Sequence, residues 1–317
     1  MEQVIDSHSY YGQIAVPQAD GSTFRFSAPL HLHREQQTAA RNAGYDLRFV
    51  IQPAHLSYNS SLAETVARNN DVFAGGILQI NPNRKLAPVL GYNSPQELSD
   101  ILCAADKHHP GTILGMKFNT AFTRWPVTDP LSRRYLDVAD QHHVAVMIHC
   151  PSQSSEQKYS SPEMVAQLAA DYPETSFIAC HLGGLHPDFA HEMAELAQMH
   201  PNIYLNTTGT GRLRRHVRDG ITVAEDAYDW QNVVHDITAR LPGRVLFGTD
   251  FPWNPWDIYP VSTLPKEARE AVLSDNYVRA FDPLEIASKD ASLLRTVFRQ
   301  ISSTLDSTPL PFPSILT

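Results

Sequence analysis

Eight short apolar runs, separated by segments of helical character, constrain this chain more than any other feature. They span residues 4–10, 47–53, 72–81, 113–119, 144–150, 177–182, 203–208 and 245–251. Most are rich in Val, Ile, Leu and Phe and end at turn residues, the pattern of strands buried on both faces of a parallel sheet. Helix starts fall between them. Ser94-Pro95-Gln96-Glu97 has the form of a capping box with proline at the first helical position, and Ser160-Ser161-Pro162-Glu163 and Asp282-Pro283-Leu284-Glu285 repeat that chemistry. Residues 31–43 and 188–199 are further amphipathic helix candidates. The alternation predicts an α/β fold, a (β/α)8 TIM barrel with loop insertions at its C-terminal face, with a doubly wound open sheet as the alternative. A chain of 317 residues suggests two domains at about 150 residues each, yet a barrel of ~250 residues is one domain. The expected organisation is a barrel over residues 1–301 and an irregular Ser/Thr/Pro-rich tail over 302–317, either a free end or an arm on a partner subunit. Segments 13–29 and 209–229 exceed a minimal barrel, and as loops after strands they are candidate lids or substrate walls.

Composition narrows the function classes. Hydrophobic residues at 42% supply a large core and exclude disorder of the chain as a whole. A net charge of −9, from 25 Lys and Arg against 34 Asp and Glu, argues against nucleic-acid partners and against attraction to an anionic membrane. Cys103, Cys150 and Cys180 form no CxxC pair and no disulfide framework, so a reduced, cytoplasmic location is expected. Neither a signal peptide nor an apolar run of membrane-spanning length is read in the sequence.

Polar residues at the strand ends carry the functional signal. The first run holds Asp6-Ser7-His8-Ser9-Tyr10, the fifth ends Ile148-His149-Cys150, the sixth contains Cys180-His181-Leu182-Gly183-Gly184, and the eighth contains Gly248-Thr249-Asp250-Phe251 before Pro252. Each sets an imidazole or a carboxylate at the carboxyl end of an apolar strand, and in a barrel those ends share one mouth. A lone histidine at such a place is more often structural, but four residues at four strand ends favour a joint site. Two imidazoles and a carboxylate make an N/N/O metal-binding set with an open position for water.

These motifs together resemble the signatures of the amidohydrolase superfamily. The match is to the amidohydrolase-related branch that includes aminocarboxymuconate-semialdehyde decarboxylase, resorcylate-type decarboxylases and pyrone-dicarboxylate lactonase. The resemblance runs from Val4 to about Phe281, and Leu273–Phe281 is similar to the family's final helix start. It implies a catalytic barrel in which His8, His149 and Asp250 bind a divalent metal, zinc first and manganese among the alternatives. Asp250 would also serve as base, and His181 as acid/base or as an electrophile toward a carbonyl. A homodimer is a further family-level expectation.

One position departs from the family pattern. The second histidine of its first-strand His-x-His pair is Tyr10 here. Residues i and i+2 share a strand face, so Tyr10 should point to the site, where a phenol of pKa near 10 is a poor ligand. Three readings stay open: a metal on His8, His149 and Asp250 with Tyr10 on the substrate; a metal-independent lactonase; or a non-catalytic binding barrel.

The other candidates have plainer alternatives. Lys117 ends the fourth run and serves either the substrate or a structural pair; in two-metal relatives a lysine at this strand end is carboxylated. Arg124 either clamps a substrate carboxylate or is a solvated loop residue. Arg212, Arg214, Arg215, His216 and Arg218 read as a solvated helical face, or as a local positive field for an anionic substrate. Trp253, Trp256 and Trp125 are candidate walls for a substrate. His31, His33, His55, His108, His109, His142 and His143 are read as surface or helix residues. The function expected from residues and resemblance together is metal-dependent hydrolysis of an amide, ester or lactone in a small, anionic molecule, with non-oxidative decarboxylation as the alternative chemistry.

Overall fold

A computed structural model describes residues 1–17, 23–150, 156–210, 214–218, 221–225, 228–252 and 261–281. The strands are β1 (Glu2–Pro17), β2 (Thr23–Ala28), β3 (Tyr45–Pro53), β4 (Phe73–Ile80), β5 (Ile113–Phe118), β6 (Ala145–Ile148), β7 (Phe177–Ala179), β8 (Ile203–Asn206), β9 (Arg214–Arg218), β10 (Ile221–Glu225) and β11 (Val245–Leu246). All eight apolar runs hold a strand. Nine strands make one sheet in the order β11-β8-β7-β6-β5-β4-β3-β1-β2. Every pairing in it is parallel except that of β2 with the outer half of β1. The sheet is curled, and the segment after β11 meets β1. Ser7 N donates to Phe247 O at 2.9 Å, Asp250 N to His8 O at 3.0 Å and Tyr10 N to Phe251 O at 2.8 Å, and Ser9 and Phe251 form a parallel bridge.

Alternation along the strands sorts side chains onto two faces. One face carries Leu47, Phe49, Phe73, Leu78, Met116, Val146, Phe177, Ile203 and Val245, which join the helical Leu98, Leu102, Leu136, Leu168, Met193 and Ile237 in a single core. The other face carries Ile5, Val50, Ile77, Met147, Ile178, Tyr204 and Leu246, which pack on Tyr277 and Phe281 of the helix Asn276–Phe281. Two residues further along several of these strands the same face turns polar: Gln52 follows Val50, Gln79 follows Ile77, His149 follows Met147 and Asn206 follows Tyr204. The concave face thus has an apolar layer and, toward the strand ends, a polar one.

The helices start where their caps predict. Ser94 and Glu97 form the reciprocal capping box of Pro95–His108. Ser161 caps Pro162–Asp171 differently. Its hydroxyl accepts from Met164 N, and Glu163, one position too early for a capping box, accepts from the Ser161 hydroxyl at 2.5 Å. The two amphipathic candidates form helices Leu30–Asn42 and Pro187–Met199.

Three expectations need correction. Within segment 13–29, residues 13–17 and 23–28 are paired antiparallel strand rather than loop. Arg214, Arg215, His216 and Arg218 lie on strand β9 of the antiparallel pair β9–β10 and not on a helix. His33 is fully buried, stacked edge-on to Phe49, Phe73 and Phe251, and burial pushes its imidazole down to about 4. Its helical spacing was legible, but the aromatic box around it comes from three distant segments. Residues 1–283 and 284–317 are separate compact units. The second lies outside the described residues, as do the helix start at Asp282 and the tail 302–317.

Candidate active site

The polar layer gathers most of the candidates. His8 is buried on β1, and its Nε2 lies 2.5 Å from Lys117 Nζ and 3.2 Å from Asp250 Oδ1. β1 shifts register against β3 between Asp6 and Ser9, an irregularity that re-aims side chains at this point. Lys117, on β5, is wholly buried, and its Nζ lies 5.2 Å from the centre of the Tyr10 ring. Tyr10 does face this site: its ring centre is 5.9 Å from that of His8, and its hydroxyl accepts a hydrogen bond from Asn119 Nδ2 at 3.2 Å.

His149 and His181 form the second half. His181 stands just past β7 in the left-handed region, at φ 60°, and Asp250 does so after β11, at φ 70°. Such conformations in non-glycine residues concentrate at functional sites. The backbone carbonyl of Thr208 lies 3.1 Å from His181 Nδ1. A carbonyl only accepts, so Nδ1 carries the proton, and the Nε2 of a neutral His181 is an acceptor. It lies 3.1 Å from His149 Nδ1, which therefore donates. His149 Nε2 is left with a bare lone pair, and that atom is buried with no hydrogen-bond partner among the described residues. Thr208 and Asn206 hold this arrangement from behind. The His181 backbone N–H donates to Asn206 Oδ1 at 3.1 Å and to Thr208 Oγ1 at 2.9 Å, and the Thr208 hydroxyl donates to Asn206 Oδ1 at 2.5 Å.

Burial dominates the electrostatics. It pulls His8 and His149 well below the usual imidazole range; Lys117, His181 and His149 push His8 the same way, as His181 and Lys117 do His149. Both rings are neutral near pH 7. Burial lowers Lys117 and raises the Tyr10 phenol well above its ordinary value. Asp250, with a side chain 18% exposed, is raised by burial to about 6 against the opposing pull of Lys117. A carboxylate tuned to that value suits proton transfer near neutrality.

Asp6 belongs to the first-strand motif, and nothing in the sequence alone gives it a role in the site. It is fully buried and accepts from His8 N, Thr249 N and the Thr249 hydroxyl at 3.0, 3.0 and 2.5 Å, tying β1 to the segment that carries Asp250. Asp6→Ala strands three buried donors and is expected to cost about 3 kcal/mol or more, read by denaturant unfolding. Burial raises Asp6 from 3.8 to about 7. A raised folded-state pKa gives stability that is complete below the unfolded value and is lost as pH rises to about 7; Asp6→Asn should remove that slope.

Asn119, Asn206, Thr208, Gln52 and Gln79 were also missed. The only signal for the strand residues is their position two places beyond an inward apolar side chain. Arg124 is exposed, at φ 50° after the short helix Thr120–Thr123, and among the described residues no hydrogen bond or ion pair joins it to this group. Trp125 is half-buried, with an indole N–H that has no partner among the described residues. Trp253, Trp256 and Arg212 lie outside the described residues. Among the described residues, no three His, Cys, Asp or Glu side chains stand ready as a metal-ligand set. The structure brings His8 to Asp250 and His149 to His181.

A curled, mostly parallel sheet with imidazoles, a carboxylate and a lysine at its strand ends defines an α/β protein with a candidate active site. The chain belongs to the amidohydrolase family, whose model matches residues 25–282. Solved structures agree in fold. A 2,6-dihydroxybenzoate decarboxylase complexed with 2,6-dihydroxybenzoate has a TM-score of 0.60 at 13% identity, over 89% of this chain and 99% of that one. A probable 2-pyrone-4,6-dicarboxylic acid hydrolase from Acinetobacter baumannii, with citric acid bound, has a TM-score of 0.58 at 13% identity over the same shares. An amidohydrolase from Burkholderia multivorans with bound zinc has a TM-score of 0.55 at 14% identity, over 88% and 99%. No curated protein sequence matches the chain. No helix among the described residues is long and apolar enough to cross a membrane.

Proposed function

We propose that this protein is an enzyme that hydrolyses an ester, lactone or amide bond in a small, carboxylated molecule. The observation that carries this reading is the meeting of Lys117 Nζ, His8 Nε2 and Asp250 Oδ1 at the strand ends. On this reading Asp250 takes a proton from the attacking water and returns it to the leaving oxygen or nitrogen as the acyl bond breaks. Lys117 holds negative charge on the substrate, and Tyr10, its phenol kept protonated by burial, is a hydrogen-bond donor. His181 fixes the tautomer of His149. The eight parallel strands form a closed (β/α)8 barrel, for which the bonds from β1 to residues 247–251 are the support. Free Cys103, Cys150 and Cys180 suit a reducing, cytoplasmic setting. A homodimer remains part of the proposal as a family-level expectation, and Arg124 and Trp253 as contacts to an anionic substrate.

The donor set fits a divalent metal in kind. His149 Nε2 offers a buried lone pair without a partner among the described residues, and His8 and Asp250 add a nitrogen and an oxygen. These three would hold the ion, zinc or manganese by donor type, which when bound supplies Lewis acidity to a carbonyl oxygen. Decarboxylation is the second reading. Asp250, at about 6, is partly protonated near neutrality and serves equally as the acid that protonates a ring carbon as CO2 leaves.

The test is elemental analysis of chelator-free protein beside a panel of lactones and small carboxylated aromatics. About one metal per chain, lost in His149→Ala, supports the ligand set. Lactone opening without CO2 supports hydrolysis, and CO2 release supports the second reading. No turnover on the panel with zinc or manganese supplied would overturn the catalytic proposal.

A further inference from the structure

Lys117 sits awkwardly beside that ligand set. Its side chain is wholly buried. Its Nζ approaches His8 Nε2 to 2.5 Å, and the same ring nitrogen faces Asp250 Oδ1 at 3.2 Å. The nitrogen that would ligate an ion is therefore already in contact with a basic side chain. Zinc binds an imidazole nitrogen at about 2.0–2.1 Å through its lone pair, leaving no room for an amine at hydrogen-bond distance from that nitrogen. An ammonium would also be repelled by a dication. Tyr10, whose ring faces Lys117 Nζ at 5.2 Å, offers that amine an aromatic face in place of another nitrogen ligand.

We infer that the Lys117 amine and a divalent cation are alternative partners of His8 Nε2. Without an ion, Lys117 stays against His8 Nε2, and His8 faces Asp250 with the same nitrogen. Loading an ion requires Lys117 to withdraw from His8. The native site therefore binds divalent ions more weakly than its three donors allow. The inference rests on the ligand set of His8, His149 and Asp250 proposed above.

Calorimetric titration of the full-length protein with cobalt(II) and with zinc(II) tests this without reference to activity. Lys117→Met is expected to bind the ion about 10–100-fold more tightly than the native chain, the range by which groups around a metal's ligands alter affinity, and adding His149→Ala should abolish the gain. Lys117→Gln, which keeps a polar group in the cavity, is the second variant should Met fold poorly, and its affinity should also rise. Equal affinity in native and variant proteins overturns the alternation and leaves the ligand set standing. Weaker binding in both variants makes Lys117 a metal ligand and overturns it as well. No binding in any of the proteins overturns both the ligand set and the alternation.

Discussion

Asp250→Asn should abolish most turnover while leaving ligand binding in place. General-base catalysis contributes about 10²–10⁴-fold, and a loss of that size in kcat with little change in dissociation constant is the expected result. The substitution isolates chemistry from folding. Asp250 sits at φ 70°, and asparagine enters the left-handed region about as readily as aspartate, so the turn survives. The pH profile gives a second readout. With Asp250 raised to about 6, the base form is lost as pH falls through that value, and kcat/KM should drop on the acid side near 6. Lys117 pulls that pKa down, so Lys117→Met should move the acid limb to higher pH. Undiminished turnover by Asp250→Asn would remove Asp250 as the base.

Gly115→Ala should be among the most damaging small substitutions in the chain. A Cβ at Gly115 would lie 2.5 Å from the backbone oxygen of Ala145, and Gly115 and Ala145 are paired across β5 and β6. A backbone oxygen cannot swing aside, so the two strands must part. Overpacking of this kind costs about 1–3 kcal/mol and occasionally more, and the upper end is expected, read as a lowered melting temperature. Gly76→Ala is the comparison. Its first contact is the Leu62 side chain at 2.8 Å, which can rotate, so its effect should be smaller. Turnover should suffer too, because Lys117 lies two residues beyond Gly115 on the same face and His149 follows β6. Native-like stability of Gly115→Ala would mean that the β5–β6 register yields more easily than its packing indicates.

The strands were legible because burial on both faces leaves a plain compositional trace, and every apolar run holds one. The helix starts were legible where proline and a cap coincide, as at Ser94. His8, His149, His181 and Asp250 stood out because an imidazole or carboxylate is unusual at the end of an apolar run. What was not legible depends on contacts between distant segments. Asp6 is paired through residue 249, and His33 is buried by three separate aromatics. Asn119, Asn206 and Thr208 are ordinary polar residues until the strands bring them to Tyr10 and His181. The β9–β10 pair was misread because a run of arginines carries almost no periodicity that separates a strand from a helix.

The concave face divides into an apolar floor and a polar rim, and the two should answer substitution differently. The floor of Ile5, Val50, Ile77, Met147, Ile178 and Tyr204, with Tyr277 and Phe281 against it, packs as one apolar cluster. Changes at rim positions such as Gln52 and Asn119 should therefore alter what the strand ends present while leaving the packing of the floor in place.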